Sequence, residues 1–360
     1  MTMKKLKPMK IFWLLFVPAL AYGLYVVAVL AYGTLNDFQP EEIISIQGSN
    51  EVSLAPTDST TLSFMIWNIG YGGLGAQSDF FLDGGTMVRP SKELSDQYRT
   101  GILKTIEANS EVDFLMLQEV DVQAKRSYKL NQFEAIGDLL PNHTRAHAFN
   151  FNVNFVPKPL VSFSPIGKVQ SGLATYSKYQ VSAHKRFQFP GSYGWPTRAF
   201  HLDRCLLESR IPLANGKELI VLNSHNSAYD GGKLKPQEMA YLKAHLLAEY
   251  EKGNYLVVGS DWNQCPPNFP YDSFSQGNAE DYYQDNIAPD FMPADWQWAF
   301  DGTVPTNRKL ASTFDKETTF TTLIDFYLLS PNITLESVEG VSLNFEHSDH
   351  QPVKLNIQLK

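Results

Sequence analysis

Six short clusters spread between residues 66 and 350 carry the groups that could do chemistry. They are Ile66-Trp67-Asn68, Leu117-Gln118-Glu119, Asn223-Ser224-His225, Gly259-Ser260-Asp261-Trp262-Asn263, Ile324-Asp325 and Ser348-Asp349-His350. Each delivers a carboxylate, an amide or an imidazole, and most lie at or just beyond the end of an apolar, strand-like run. Such groups hold a divalent cation, orient a water and neutralise a phosphate. They matter together, because strand ends in a layered sheet protein converge on one rim.

Glu119 closes the run Phe114-Leu115-Met116-Leu117 with a carboxylate. With Asn68 and Asp349 it offers the sparse oxygen set that magnesium prefers. Taken alone, Glu119 is equally the polar end of a strand. Asp261 and Asn263 follow the most apolar run, Tyr255-Leu256-Val257-Val258, and could position a water and a phosphate oxygen. The same residue types also build an Asx turn. His225 ends Leu219–Asn223, where a lone histidine is more often structural. His350 directly follows Ser348 and Asp349, and Asp325 is its natural orienting partner, raising its pKa and fixing its tautomer. His347 lacks such a pattern and reads as a surface residue.

The order and placement of these clusters resemble the endonuclease/exonuclease/phosphatase superfamily, the metal-dependent phosphoesterases that include DNase-like nucleases, neutral sphingomyelinases and inositol polyphosphate 5-phosphatases. The resemblance spans about residues 61 to 358. It implies an α/β fold, a four-layer α-β-β-α sandwich of two packed mixed sheets with helices outside. It implies catalytic roles for Asn68, His225, Asp261, Asn263, Asp325 and His350, and Mg2+ (or Mn2+) held by Glu119, Asp349 and Asn68. Arg204, just before a strand, resembles an arginine that touches phosphate in some branches. The chain departs from the family pattern at Gly259-Ser260-Asp261, which has one extra residue, at Trp262 and at Asn226. Gln170 precedes Ser171-Gly172 where abasic-site endonucleases carry tyrosine, which argues against DNA repair.

The elements that must position these groups are legible in part. Leu94, Tyr98, Ile102 and Ile106 predict a helix over 91–108, and Met239, Leu242, Leu246 and Tyr250 predict one over 236–252. Pro236 and Gly253 suit its start and stop. Short apolar runs predict strands at 114–117, 173–176, 205–209, 219–223, 255–258, 325–329 and 353–357, which suggests two packed sheets with helices outside. Residues 141–168, 187–203 and 264–308 show no clear periodicity and read as functional loops or partly structured inserts that would form the walls of a cleft.

At the N-terminus, Lys4, Lys5, Lys7 and Lys10 precede a stretch without charge, residues 11 to 36. That exceeds the roughly 20 residues needed to cross a bilayer. The sequence therefore divides into a cytoplasmic basic tail (1–10), a transmembrane signal anchor (11–33), a linker (34–60) and a catalytic domain (61–360). Ala19-Leu20-Ala21 has the form of a cleavage site, but the apolar run continues past it to Ala31. Basic residues before the anchor keep that end inside, which places a single-pass protein in the cell membrane with its domain outside.

With 43% hydrophobic residues the chain can bury a large core. Its net charge is −8, and −12 without the four leading lysines. No block of Lys and Arg marks a sequence-independent nucleic-acid binder. Cys205 and Cys265 allow a disulfide, buried bystanders or a thiol nucleophile at Cys265. The expected partners are a phosphoester substrate and, through residues 11–33, a lipid bilayer; nucleic acid enters only as a substrate, and no protein partner is implied. The leading reading is a membrane-anchored, Mg2+-dependent phosphodiesterase, with a phospholipid head group suiting the tether. The rivals are an extracytoplasmic endonuclease or exonuclease, which needs a basic stripe along the cleft, and a non-catalytic tethered binding module. An apolar rim around Phe149, Phe151 and Phe155 would favour lipid.

Overall fold

The computed structural model describes residues 8–48, 52, 54–56, 61–160, 162, 164–228, 231–274 and 284–360. Two mixed sheets lie at its centre. The first runs β1 (Ile43–Ile46), β6 (Ala183–Gln188), β7 (Cys205–Pro212), β8 (Glu218–His225), β9 (Tyr255–Asp261), β13 (Asp325–Leu329), β10 (Gln297–Ala299). The second runs β14 (Ile333–Gly340), β15 (Val353–Leu359), β2 (Leu62–Asn68), β3 (Phe114–Asp121), β5 (Gly167–Ser177), β4 (Thr144–Val156). A two-stranded ribbon, β11 (Asn307–Arg308) with β12 (Thr321–Thr322), flanks them. Among the described strands, β2/β3 and β8/β9 pair in parallel and the other pairs are antiparallel.

Alternation assigns the faces of the central strands. Phe64, Ile66, Phe114, Met116, Leu219, Val221, Val257 and Tyr327 form the core between the sheets. On the outer face of the first sheet, Ile220, Leu222, Leu256 and Val258 meet Met239, Leu242 and Leu246 of α4 (Lys235–Glu251). On the outer face of the second, Met65, Trp67, Leu115 and Leu117 meet Ile102 and Ile106 of α2 (Lys92–Ala108) and Ile136 of α3 (Gln132–Leu139). These strands are buried on both faces, which explains their continuous apolar runs. Ser91 caps α2 by accepting from Leu94 N at 3.2 Å, and Pro236 occupies its first turn in α4. The result is the four-layer sandwich that the resemblance implies.

A further helix, α1 (Pro8–Leu35), precedes the sandwich. Its segment Phe12–Leu35 is long and apolar enough to cross a membrane.

Three expectations need correction. Within the expected linker, Ile43–Ile46 adds an edge strand to the first sheet. Residues 141–168 are not one loop, because β4 fills 13 of them and β5 begins at Gly167. The inward positions of β4 carry Ala146, Ala148 and Asn150 rather than large aliphatics, so the alternation is faint, and Phe149, Phe151 and Phe155 sit on a strand. His347 is largely covered, with a side-chain exposure of 18%, because it packs over Gly101 of α2.

Candidate active site

The register of the first sheet sets one half of the site. β9 lies between β8 and β13, with His225 opposite Asp261 on one side and Asp325 opposite Asp261 on the other. Asp325 opens its strand rather than ending the preceding run; since β13 is antiparallel to β9, its first residue reaches the same rim. His350, in the loop before β15, places Nδ1 2.8 Å from Asp325 Oδ2 and Nε2 3.6 Å from Asp261 Oδ2. His225 Nε2 lies 3.3 Å from the same Asp261 oxygen. Asn68, the last residue of β2, donates Nδ2 to that oxygen at 2.9 Å, while its Oδ1 accepts from Gly70 N at 3.0 Å.

Charge follows from this arrangement. Burial disfavours a charged His350, but Asp325, Asp261 and Asp349 outweigh it and hold its pKa well above the ordinary value. His350 is thus an imidazolium with two N–H donors. Its Nε2 is 3.0 Å from the Asn307 amide nitrogen, so that amide satisfies the cation when turned end for end, with Oδ1 accepting. His225 is pushed down to about 3 by burial and by the charge of Arg204, with Asp261 opposing. It is a neutral ring with Nε2 set beside Asp261. Burial raises the pKa of Asp261, yet the histidines and the Asn68 amide outweigh burial and keep it ionised. Burial pushes Asp325 up to about 6, against the pull of His350.

The second sheet supplies the other half through a β-bulge. Between Leu117 and Val120 the pairing with β5 slips by one residue, and Glu119 adopts a φ of 57°. A non-glycine residue in that region is unusual and typical of functional sites. The bulge turns Glu119 into the cleft, a quarter exposed, while Gln118 stays inward and donates Nε2 to Asn223 Oδ1 at 2.8 Å. Asn223 in turn donates to Leu117 O at 3.1 Å and Ala174 O at 3.0 Å, satisfying carbonyls at the irregularity.

These two halves face a cleft of about 240 Å³ lined by Asn68, Glu119, Arg204, His225, Asp261, Asn263, Asp349 and His350. Asp325 stands behind His350, touching it but not the cleft. Asn263, at φ 49°, donates Nδ2 to Asn226 O at 2.9 Å and its backbone N–H to Asp261 Oδ1 at 3.0 Å. The Asx-type bond and a place in the cleft therefore coexist. Trp262 is buried, bonded to Phe326 O at 3.0 Å, and the extra Ser260 is buried in β9. Cys205 and Cys265 are separate buried thiols, and burial pushes Cys265 up to about 11, so neither is a nucleophile.

The donor set fits a small hard cation. Glu119 and Asp349 open into the same cleft. Burial pushes Asp349 up to about 7; His350 pulls it back, and the charge of Glu119 adds to the rise. Such crowding of carboxylates is what a bound cation relieves. Asp261, Asp325 and His350 also bring ligand atoms within 4.8 Å of one another. However, the His350–Asp325 bond and the donors on Asp261 occupy those atoms, so this trio is a chain of alternating charges.

Several residues had no sequence signal. Arg126 lines the cleft, gripped by Asp121 through Nε at 3.2 Å and Nη2 at 3.0 Å, and lies 3.7 Å over the Tyr71 ring. Its Nη2 is 3.8 Å from Glu119 Oε2. Asn307 comes from a segment read as loop, and Asn223 was visible only as a neighbour of His225.

The sequence profile of the Endonuclease/Exonuclease/phosphatase family matches residues 65–350. No curated protein matches the chain in sequence. Among solved structures, an endonuclease/exonuclease/phosphatase from Beutenbergia cavernae is similar at 15% identity, with a TM-score of 0.53 over 83% of this chain and 72% of the other. One from Bacteroides vulgatus is similar at 16% identity and a TM-score of 0.51, over 84% of this chain and 100% of the other. The human Nocturnin catalytic domain, solved with a bound sulfate anion, is similar at 16% identity and a TM-score of 0.51, over 87% of this chain and 97% of the other.

Proposed function

The chain belongs to the endonuclease/exonuclease/phosphatase family, whose members hydrolyse phosphoric esters, and from that premise we propose that it is a membrane-anchored, Mg2+-dependent phosphodiesterase that splits its substrate by in-line attack of water. The observation that carries this reading is the buried chain Asp325–His350–Asp261, opening into the same cleft as Glu119 and Asp349. Glu119, Asp349 and the free lone pair of Asn68 Oδ1 would hold the cation; when bound, it supplies Lewis-acid stabilisation of charge on the phosphate and leaving oxygens.

The protein's own groups do the rest. Asp261, kept ionised and fixed by Asn68, orients the attacking water through its carboxylate and takes up its proton as the P–O bond forms. His350 presents a permanent positive charge to the phosphoryl oxygens, and Asp325 fixes its ring. The remaining N–H of Asn263 and the guanidinium of Arg204 can each donate to a non-bridging oxygen. The apolar span of α1 anchors the enzyme, with the lysines before it on the cytoplasmic side and the catalytic domain outside. A phospholipid head group is the substrate that best suits this tether.

Hydrolysis of bis(p-nitrophenyl) phosphate tests the reading. Wild type should be active with Mg2+ and inactive with a chelator, and Asp261→Ala and His350→Ala should each lose activity by about 1,000-fold or more. Activity that survives both substitutions would end it.

A further inference from the structure

The cleft wall and the membrane helix are in direct contact. Gly33 is buried and Val26, Val29 and Leu30, spaced along the same face of α1, are half-buried, and the helix packs against β4 and the 3-10 turn Thr197–Phe200. A side chain at Gly33 would collide with the Phe200 ring, and Phe200 also lines the catalytic cleft. Two polar contacts lock the strap before it. Trp195 Nε1 donates to Thr34 Oγ1 at 3.1 Å, and Arg198 Nε meets Asp37 Oδ2 at 3.1 Å.

Depth follows from length. Phe12–Leu35 is 24 residues, about 36 Å of helix at the standard rise, against about 30 Å of hydrocarbon. Its last turn, with Gly33, therefore reaches the headgroup layer, and so does the cleft wall at Phe200. Trp195, 61% exposed, and Tyr32, 48% exposed, sit at that level, where interfacial aromatics belong.

The cleft itself has two characters. Leu82, Phe80, Phe151, Val156, Leu310 and Phe200 form an apolar wall. Arg126, Lys158 and Arg204 supply positive charge at its polar end, and Arg204 Nη1 is buried without a hydrogen-bond partner. A nucleic acid would meet greasy walls and a negatively charged domain. A lipid phosphodiester would match both ends.

Resting on the phosphodiesterase reading above, we propose that the cleft takes phosphodiester lipids directly from the bilayer in which α1 sits, with the strap 191–204 as the lip over which they pass. The lipid chain lies along the apolar wall, and the phosphate reaches Asp261 and His350. Water oxygen bonds to phosphorus as the P–O bond to the lipid alcohol breaks. The proton passes from water by way of Asp261 to the departing alkoxide, leaving a neutral lipid alcohol in the membrane and a water-soluble phosphomonoester.

The test uses the full chain reconstituted in vesicles of phosphatidylcholine, phosphatidylglycerol and sphingomyelin, reading released phosphomonoester against bis(p-nitrophenyl) phosphate hydrolysis. Wild type should cleave lipid of its own vesicle at least about tenfold faster than the same lipid in separate vesicles. Gly33→Leu, which pushes the lip off the helix, and Trp195→Ala, which removes one interfacial aromatic, should each cut lipid turnover by about tenfold and leave the soluble ester rate unchanged. Trp195 is exposed, so that variant carries the test if Gly33→Leu does not fold. Equal rates for same-vesicle and separate-vesicle lipid, lipid turnover untouched in Trp195→Ala, or cleavage of a DNA duplex with no lipid cleaved would each overturn the inference while leaving the phosphodiesterase reading standing. A wild type inert on the soluble ester would sink both.

Discussion

The two sheets bring unlike halves to one cleft. The rim of the seven-stranded sheet is in register: His225, Asp261 and Asp325 stand opposite one another on adjacent strands, and His350 offsets part of the charge of the two carboxylates. The rim of the six-stranded sheet is irregular: a bulge and a left-handed backbone turn out Glu119, which shares the cleft with Asp349 and meets Arg126 only loosely, at 3.8 Å. A regular ladder fixes groups to sub-ångström tolerance, which suits orientation of a water and a charge. An irregular, under-neutralised rim leaves oxygen ligands free for an ion to organise.

That contrast can be broken most sharply by comparing rescue. Asp261→Ala combined with His350→Ala should be no worse than the poorer single variant by more than about tenfold, because the two act as one unit. No concentration of Mg2+ should restore it. Glu119→Gln should lose about 100-fold at limiting Mg2+, the scale of a perturbed metal site, and recover in part as Mg2+ is raised. Mg2+ activation curves for the variants decide the matter. Equal rescue of both would mean that the halves are not chemically distinct.

The same contrast explains what the sequence disclosed. The groups of the regular rim were legible, because His225 and Asp261 each end a run of residues buried on both faces, and such runs are the strongest strand signal a sequence holds; Asn68, at the end of β2 in the other sheet, was legible for the same reason. Glu119 was legible as a strand-end acid, but not its bulge, since nothing in Leu117-Gln118-Glu119-Val120 encodes a register slip that only β5 and Asn223 can impose. Asp325 was found as the partner of His350 and as the first residue of a strand, since the apolar run 325–329 is β13 itself. Arg126 comes from a loop and Asn307 from the two-residue strand β11, too short to leave a pattern, so the position of both depends on distant packing rather than on local pattern.

Asn223 holds the irregular half in place, so its loss should tell there first. Asn223→Ala strands Leu117 O, Ala174 O and the Gln118 amide. Leaving such buried groups unpaired costs about 1–3 kcal/mol each, and relaxation will recover part of it, so a loss of about 3 kcal/mol is expected. Urea unfolding in detergent measures this, and the Mg2+ activation midpoint should shift upward with little change in saturated rate. A variant whose stability falls while that midpoint stays fixed would show that the bulge does not depend on Asn223.

His225 sharpens the comparison from the regular side, with the smallest expected effect. It is neutral in the folded protein, its pKa pushed down to about 3 by burial first and by Arg204 second. Its contribution is then a neutral polar group held 3.3 Å from Asp261, a place the amide of glutamine can take. His225→Gln should lower kcat by no more than about tenfold. Stability gives an independent reading. The unfolded chain protonates an ordinary histidine near pH 6.5, before the folded one, so the native state is fully favoured above that pH and loses ground as pH falls towards 3. By pH 5 the loss from this one ring is about 2 kcal/mol. Replacing it with glutamine should shrink the difference between unfolding free energies at pH 7 and pH 5 by about that amount. An unchanged difference would mean that His225 already carries its proton when folded, and the positive charge facing Asp261 would then belong to both imidazoles rather than to His350 alone.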